Sequence, residues 1–179
     1  VVQKYLSGDG YGCSVFAKNG KILSMITHKR IREYPVTGGP SACCKAVHVP
    51  EIEKYTEILA RDTKLNGLCM FEFKADADGK FYLLEANPRV WGSYALTRVC
   101  KSRITQTWFV ESMKEGNYDL QIRVPRIQSK DACMHYLLSD IAAGFGYLKA
   151  GKIGKGLAGI FSGFRSRLQG GCSMKSAPP

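Results

Sequence analysis

Apolar and polar positions alternate along two stretches of the chain, each broken in the middle by an Asx-Gly pair. Val15-Phe16-Ala17 and Ile22-Leu23-Ser24-Met25-Ile26 flank Asn19-Gly20, and residues 72–77 and 80–87 flank Asp78-Gly79. A two-residue type I′ turn needs positive φ at both central positions, which Asn-Gly and Asp-Gly supply, so each stretch predicts a β-hairpin. With the second turn centred on Asp78-Gly79, residue 77 pairs with 80 and 76 with 81. That register sets Glu72 opposite Glu85, with Asn87 on the same face by the period of two. Between the hairpins the period changes. Pro50 opens a helix whose Ile52, Tyr55, Ile58 and Leu59 form one stripe and which Asn66-Gly67 closes. Residues 102–115 predict a second helix ending at Gly116, and Tyr118, Leu120, Ile122 and Val124 a short strand. Strand pairs separated by helices imply an α+β fold, an antiparallel sheet with helices packed on one face.

The chemistry concentrates on the second hairpin. Two carboxylates as cross-strand neighbours lie roughly 5 Å apart, where like charges destabilise a sheet, so a cation is expected between them. Carboxylate and amide oxygens are hard ligands, which makes Glu72, Glu85 and Asn87 candidates for Mg²⁺ or Mn²⁺ held with substrate phosphates. Arg89 shares their parity and offers a planar fork for phosphate or carboxylate. An acidic face turned to water accounts for the same residues without a metal. A second cluster, His28-Lys29-Arg30-Ile31-Arg32, precedes Pro35-Val36-Thr37-Gly38-Gly39-Pro40-Ser41. Cationic forks beside a Gly-Gly loop suit an anion, and a solvated basic loop is the plain alternative.

Together these residues resemble the ATP-grasp superfamily. Glu72 in Phe-Glu-Phe, the Asp78-Gly79 turn and Phe81-Tyr82-Leu83-Leu84-Glu85-Ala86-Asn87-Pro88-Arg89 are similar to the metal-binding end of D-alanine:D-alanine ligase and biotin carboxylase. The basic segment and its Pro-x-x-Gly-Gly-Pro-Ser tail resemble the carboxylate-amine ligase branch that includes D-aspartate ligase. The resemblance implies an ATP- and Mg²⁺-dependent ligase that activates a carboxylate as an acyl phosphate for attack by an amine. It implies Glu72, Glu85 and Asn87 as metal ligands, with Arg89 and Arg30 on the transferring phosphoryl group. Gln3, Lys4, Tyr5 and Leu6, within Val2–Leu6, resemble the hinge strand whose backbone meets adenine, although the family usually has Glu where Gln3 stands. Lys74 falls where an apolar residue packs on the adenine ring, so its stem would take that role. Gly12 stands near an acidic ribose ligand it cannot supply, and Asp9 is the candidate substitute. Trp91-Gly92-Ser93 is expected to line the acceptor pocket.

The chain's 179 residues, 45% of them hydrophobic, suffice for one good core. The resemblance assigns residues 1–125 to the C-terminal lobe of an ATP-grasp domain. It implies a missing N-terminal half that carries phosphate-contacting lysines and a glycine-rich lid, so that this fragment alone would be inactive. Residues 126–179 are expected as a helical, basic, Gly-rich extension. After Asp140 no acidic residue occurs, while Lys149, Lys152, Lys155, Arg165, Arg167 and Lys175 add positive charge toward a net +11. The second reading is therefore a non-catalytic basic module on the same scaffold, binding nucleic acid or an anionic surface such as a membrane. The many glycines argue against a stable amphipathic helix there and favour a loose, solvated segment. Seven irregularly spaced cysteines do not form a disulfide framework, and Cys43-Cys44 with His48 lacks a fourth ligand, so buried thiols are expected. No run of eighteen apolar residues occurs, and the expected compartment is the cytoplasm.

Overall fold

The computed structural model describes residues 4–115 and 132–168. Six strands form one antiparallel sheet in the order β5-β4-β1-β2-β3-β6, with β1 Gly10–Lys18, β2 Lys21–Glu33, β3 Ser41–Val47, β4 Gly67–Ala75, β5 Phe81–Asn87 and β6 Cys133–His135. The helices are α1 Pro50–Asp62, α2 Tyr94–Val99, α3 Ile104–Glu115, α4 Leu137–Lys149 and α5 Ile153–Leu168. This is the α+β architecture expected from the sequence. The strand expected over residues 118–124 lies outside the described residues, as does Gln3.

Both faces of the central strand β1 are apolar and both are covered. Cys13 and Val15 point to one side, where Ile52 of α1 joins Cys69, Phe71 and Phe73 of β4. Phe16 points to the other, packing with Ile26, Cys44, Ala46, Met70, Trp91, Leu96 of α2 and Ile104 of α3. The helices are thus shared between the two faces rather than gathered on one, because a strand buried on both sides needs a layer on each. In α1 the buried line is Ile52, Thr56 and Ala60, flanked by Tyr55 and Leu59, and Ile58 is turned outward.

The first hairpin turns as expected, with Asn19 at φ 50° and Gly20 at φ 80° and Lys18 paired with Lys21. The second reaches the expected register by another route. Only Gly79 has positive φ there (84°). The Gly79 N–H donates to the Asp76 carbonyl at 3.2 Å and the Asp76 N–H to the Lys80 carbonyl at 2.9 Å, a three-residue loop closed by a left-handed glycine. Asp76 Oδ1 selects this loop by accepting from the Asp78 and Lys80 N–H groups at 3.0 and 2.9 Å. Ala75 consequently pairs with Phe81, one residue off the expected register. A bulge between Glu72 and Phe73 then restores it, so Glu72 faces Glu85 after all.

The C-terminal extension is an ordered helical hairpin through Leu168 rather than a loose tail. Its glycines lie where the two helices touch. A Cβ on Gly144 would stand 2.8 Å from the Gly156 carbonyl oxygen, and one on Gly159 would stand 2.9 Å from the Gly144 Cα. Close backbone approach offsets the propensity cost that glycine carries in an isolated helix. The hairpin is anchored by β6, which pairs with β3, and by an ion pair between Arg32 of β2 and Asp140 of α4, both buried.

Candidate functional site

Three neighbouring strands bring the site together. Glu72 of β4, Gly12 of β1 and His28 of β2 lie in one row across the sheet. Arg30 lies two residues further along β2, and its guanidinium passes over β1 to pair with Glu72 through Nη2. Glycine makes that crossing possible, since a Cβ on Gly10 would stand 3.0 Å from Arg30 Cδ. Arg30 Nη1 also donates to Glu33 Oε1 at 3.2 Å and to the Gly39 carbonyl at 3.3 Å, while its buried Nε has no partner among the described residues. The Gly38-Gly39 loop is thus used as an acceptor for Arg30.

The row continues across the hairpin. Glu85, opposite Glu72, accepts from Asn87 Nδ2 at 2.8 Å, and Asn87 Oδ1 accepts from Arg89 Nη2 at 3.5 Å. Arg89 lies beyond the end of β5, where its backbone N–H donates to the Asn87 carbonyl at 2.8 Å. Arg30, Glu72, Glu85, Asn87 and Arg89 therefore lie in one line of polar side chains. The inner end at Glu72 is largely buried, and Glu85 and Arg89 are exposed.

The remaining candidates are distributed differently. A bulge at Ile31 aligns Arg30 with Cys44 but Arg32 with Cys43, so two arginines of equal parity face opposite sides. Arg32 binds Asp140, Lys29 binds Asp9 at 2.5 Å, and Arg30 is the arginine of this cluster that joins the carboxylate line. Asp9, held below the usual carboxylate range by its hydrogen bond from Lys29, is thereby engaged. Lys4, Tyr5 and Leu6 form no strand; Leu6 is buried and Tyr5 exposed. The Lys74 ammonium lies 5.3 Å above the Tyr5 ring, so both sit at one end of β4. Trp91 is a core residue packed edge-on against Tyr94, with ring centroids 6.1 Å apart.

Cys43 and Cys44 are buried thiols, each pushed up to about 12 by burial, and His48 pairs instead with Glu53 at 2.9 Å. Cys43, His135 and Asp140 do converge within 4.8 Å. The Asp140 carboxylate there is occupied by Arg32, and it accepts from His135 Nδ1 at 2.9 Å. Burial alone would raise Asp140, but these hydrogen bonds hold it below its ordinary value.

The sequence placed His28 in the basic cluster and Ser93 in the acceptor-pocket segment, but not the contact between them. His28 is fully buried with its ring against Gly12, where a Cβ would stand 2.4 Å from its Cε1, and its Nε2 meets Ser93 Oγ at 3.4 Å. The ring fills the space left by the absent side chain of Gly12, its partner in the register, and that glycine within β1 was the available signal. Burial, reinforced by Arg30, pushes His28 down from 6.5 to about 3. The unfolded chain takes up this proton below pH 6.5 and the folded one does not. Stability is thus complete above pH 6.5 and is lost toward pH 3, with a limiting slope of about 1.4 kcal/mol per unit. The lowered carboxylates Asp9 and Asp140 act only below 3.8. Urea midpoints at pH 7, 6 and 5 should fall steeply for the native chain and more gently for His28→Gln; equal slopes would contradict the assignment.

Residues 1–131 match the family described as ATP-grasp in the biosynthetic pathway with Ter operon. No curated protein matches. Among solved structures, the biotin carboxylase domain of Hydrogenobacter thermophilus 2-oxoglutarate carboxylase, in complex with MgADP, ADP and bicarbonate, is similar at 17% identity and TM-score 0.53, over 70% of this chain and 29% of that one. The Campylobacter jejuni biotin carboxylase-beta-gamma-ATP complex is similar at 15% identity and TM-score 0.52, over 73% of this chain and 30% of that one. Rhizobium etli pyruvate carboxylase with its activator acetyl coenzyme A is similar at 16% identity and TM-score 0.51, over 69% and 13%. The chain spans less than a third of each of these proteins. Among the described residues no helix is long and apolar enough to cross a membrane. With the family model matched over residues 1–131 and the fold shared with biotin carboxylases, this chain belongs to the ATP-grasp family, in the group described as ATP-grasp in the biosynthetic pathway with Ter operon.

Proposed function

We propose that this chain forms the metal-binding face of a cytoplasmic ligase that joins a carboxylate to an amine through an acyl phosphate. The observation that carries the reading is Glu72 facing Glu85, continued by Asn87 and Arg89 on one side and by Arg30 on the other. Two carboxylates and an amide oxygen are a hard donor set suited to Mg²⁺ or Mn²⁺, so Glu72, Glu85 and Asn87 would hold the ion. A divalent ion bound there supplies neutralisation of charge on the ATP phosphates.

The chain's own residues position the reactants. Arg89 is exposed and presents its fork to a substrate oxyanion, while Arg30 is held over the sheet by Glu72, Glu33 and Gly39. The carboxylate oxygen attacks the γ-phosphorus, ADP departs, and the amine then displaces inorganic phosphate from the acyl carbon. Arg30 and Arg89 stabilise the negative charge shared between the entering and leaving oxygens. Lys4, Tyr5 and Leu6 take the adenine through backbone groups, with Gln3 beside them, and Lys74 packs nearby. In this proposal residues 1–125 form the lobe and 126–179 an extension that lends β6 to its sheet. A second lobe supplies lysines and a lid, without which the described face does not turn over ATP.

The basic-module reading, which rests on the cations after Asp140, has less support, because that segment packs as the α4–α5 hairpin and its Lys155 pairs with Asp9 at 4.0 Å. The complete gene product, given ATP, Mg²⁺, a panel of carboxylates and hydroxylamine, should release ADP only with the right carboxylate and form hydroxamate in equal amount. Release of AMP, or ATP hydrolysis indifferent to carboxylate, would contradict the acyl-phosphate route. At the hinge, Leu6→Pro removes a backbone donor and should weaken nucleotide binding by roughly tenfold or more, whereas Leu6→Met should leave it nearly unchanged. Equal affinities would move the hinge elsewhere.

A further inference from the structure

Beyond the nucleotide site, the molecule has a second concave region with its own charge. Helices α2 and α3 enclose a cleft of about 750 Å³ lined by Arg98, Lys101 and Arg103 together with Tyr94, Trp108 and Phe109. None of Glu72, Glu85, Asn87 or Arg89 lines it. The volume is within the range of small-molecule sites. Tyr94 OH and Thr105 Oγ1 hydrogen-bond to each other, tying α2 to α3, so the cleft is formed without a ligand.

Its composition is unusual for this molecule. The arginines of β2 all have carboxylate partners, but Arg98, Lys101 and Arg103 form no ion pair among the described residues. Lys101 takes the left-handed conformation (φ 51°) that closes α2, with the Ser102 N–H donating to the Thr97 carbonyl at 3.0 Å, and Arg103 follows at φ 53°, which holds both at the cleft. Trp108 and Phe109 remain 43% and 50% exposed beside these cations. Cations without a carboxylate partner suit an anion, and exposed aromatic faces suit a flat apolar body.

We propose that the cleft between α2 and α3 binds a phosphate monoester carried on an aromatic group. Uncompensated guanidinium and ammonium groups match a phosphate monoester, which carries a charge of roughly −1.5 to −2 at neutral pH, better than a singly charged carboxylate. Tyr94, Trp108 and Phe109 provide ring edges and faces for the aromatic body.

The probe is 1-naphthyl phosphate, followed by the indole N–H resonance of Trp108 in the full chain. The chain has two tryptophans and Trp91 is buried, so the two signals report different places. The Trp108 resonance should shift saturably. Inorganic phosphate, 1-naphthoate and naphthalenemethanol should each bind at least tenfold more weakly. The double variant Arg98→Gln with Lys101→Asn should weaken naphthyl phosphate at least tenfold; both side chains are exposed, and asparagine tolerates the left-handed backbone of position 101. Glu85→Ala should leave the affinity unchanged, which separates this site from the ligase reading. A Trp108 signal that does not move, an unaltered affinity in the double variant, or displacement of the probe by Mg²⁺-ATP would each overturn the proposal.

Discussion

Glu85→Ala should lower turnover of the complete gene product by about a hundred- to a thousandfold or more while leaving the fold as stable as before. The side chain is exposed on the edge strand β5, where substitutions usually change stability by less than about 0.5 kcal/mol. Removing it also relieves the like-charge pairing with Glu72, which favours the sheet slightly. The expected loss matches that for removing one group that stabilises developing charge. Glu72→Ala should differ, because it also strips Arg30 of one of its two carboxylate partners, leaving only Glu33, in a largely buried setting. It should lose turnover and also about 1–3 kcal/mol of stability. Steady-state kinetics beside urea denaturation of both variants checks the contrast. Normal turnover in Glu85→Ala would remove that residue from the site.

Arg32→Leu should destabilise the chain by about 3–5 kcal/mol, because it leaves the buried Asp140 carboxylate without its main partner. Arg32 Nη2 donates to Asp140 Oδ2 at 2.7 Å, and the remaining His135 contact supplies one donor at most. Pairing Arg32→Leu with Asp140→Leu should recover much of the loss, since neither charge then stays buried. Urea midpoints of the single and double variants decide this. A double variant as unstable as the sum of the singles would show that packing, rather than charge, dominates there.

Much of this arrangement was legible in the sequence because local chemistry and tertiary need agreed. Asn19-Gly20 dictated its turn, and Pro50 with Ile52 dictated α1. The opposition of Glu72 and Glu85 was read correctly although the turn was not. Asp76 captured the loop with its own carboxylate, and the bulge at residues 72–73 compensated for the shift. The single-residue bulge at Ile31 left no signal in apolar spacing, so spacing alone could not separate Arg30 from Arg32, which only the family resemblance did, yet the bulge sends one to Glu72 and the other to Asp140. The extension was expected to be helical, but its packing as a hairpin was hidden for a related reason. Glycine weakens an isolated helix, and only knowledge of its partner shows that Gly144, Gly156 and Gly159 permit contact. His28 was read as part of the basic cluster, and its neutrality and burial were not legible because they depend on the space above Gly12.

The measurement closest to the central claim is calorimetric titration of Mn²⁺-ATP into the complete gene product and its Glu72→Ala and Glu85→Ala variants. If Glu72 and Glu85 hold the ion, the native protein binds Mn²⁺-ATP, each variant binds at least tenfold more weakly, and the deficit nearly vanishes when ATP is titrated without metal. Unchanged Mn²⁺-ATP affinity in both variants would contradict the assignment of this hairpin as the metal-binding face.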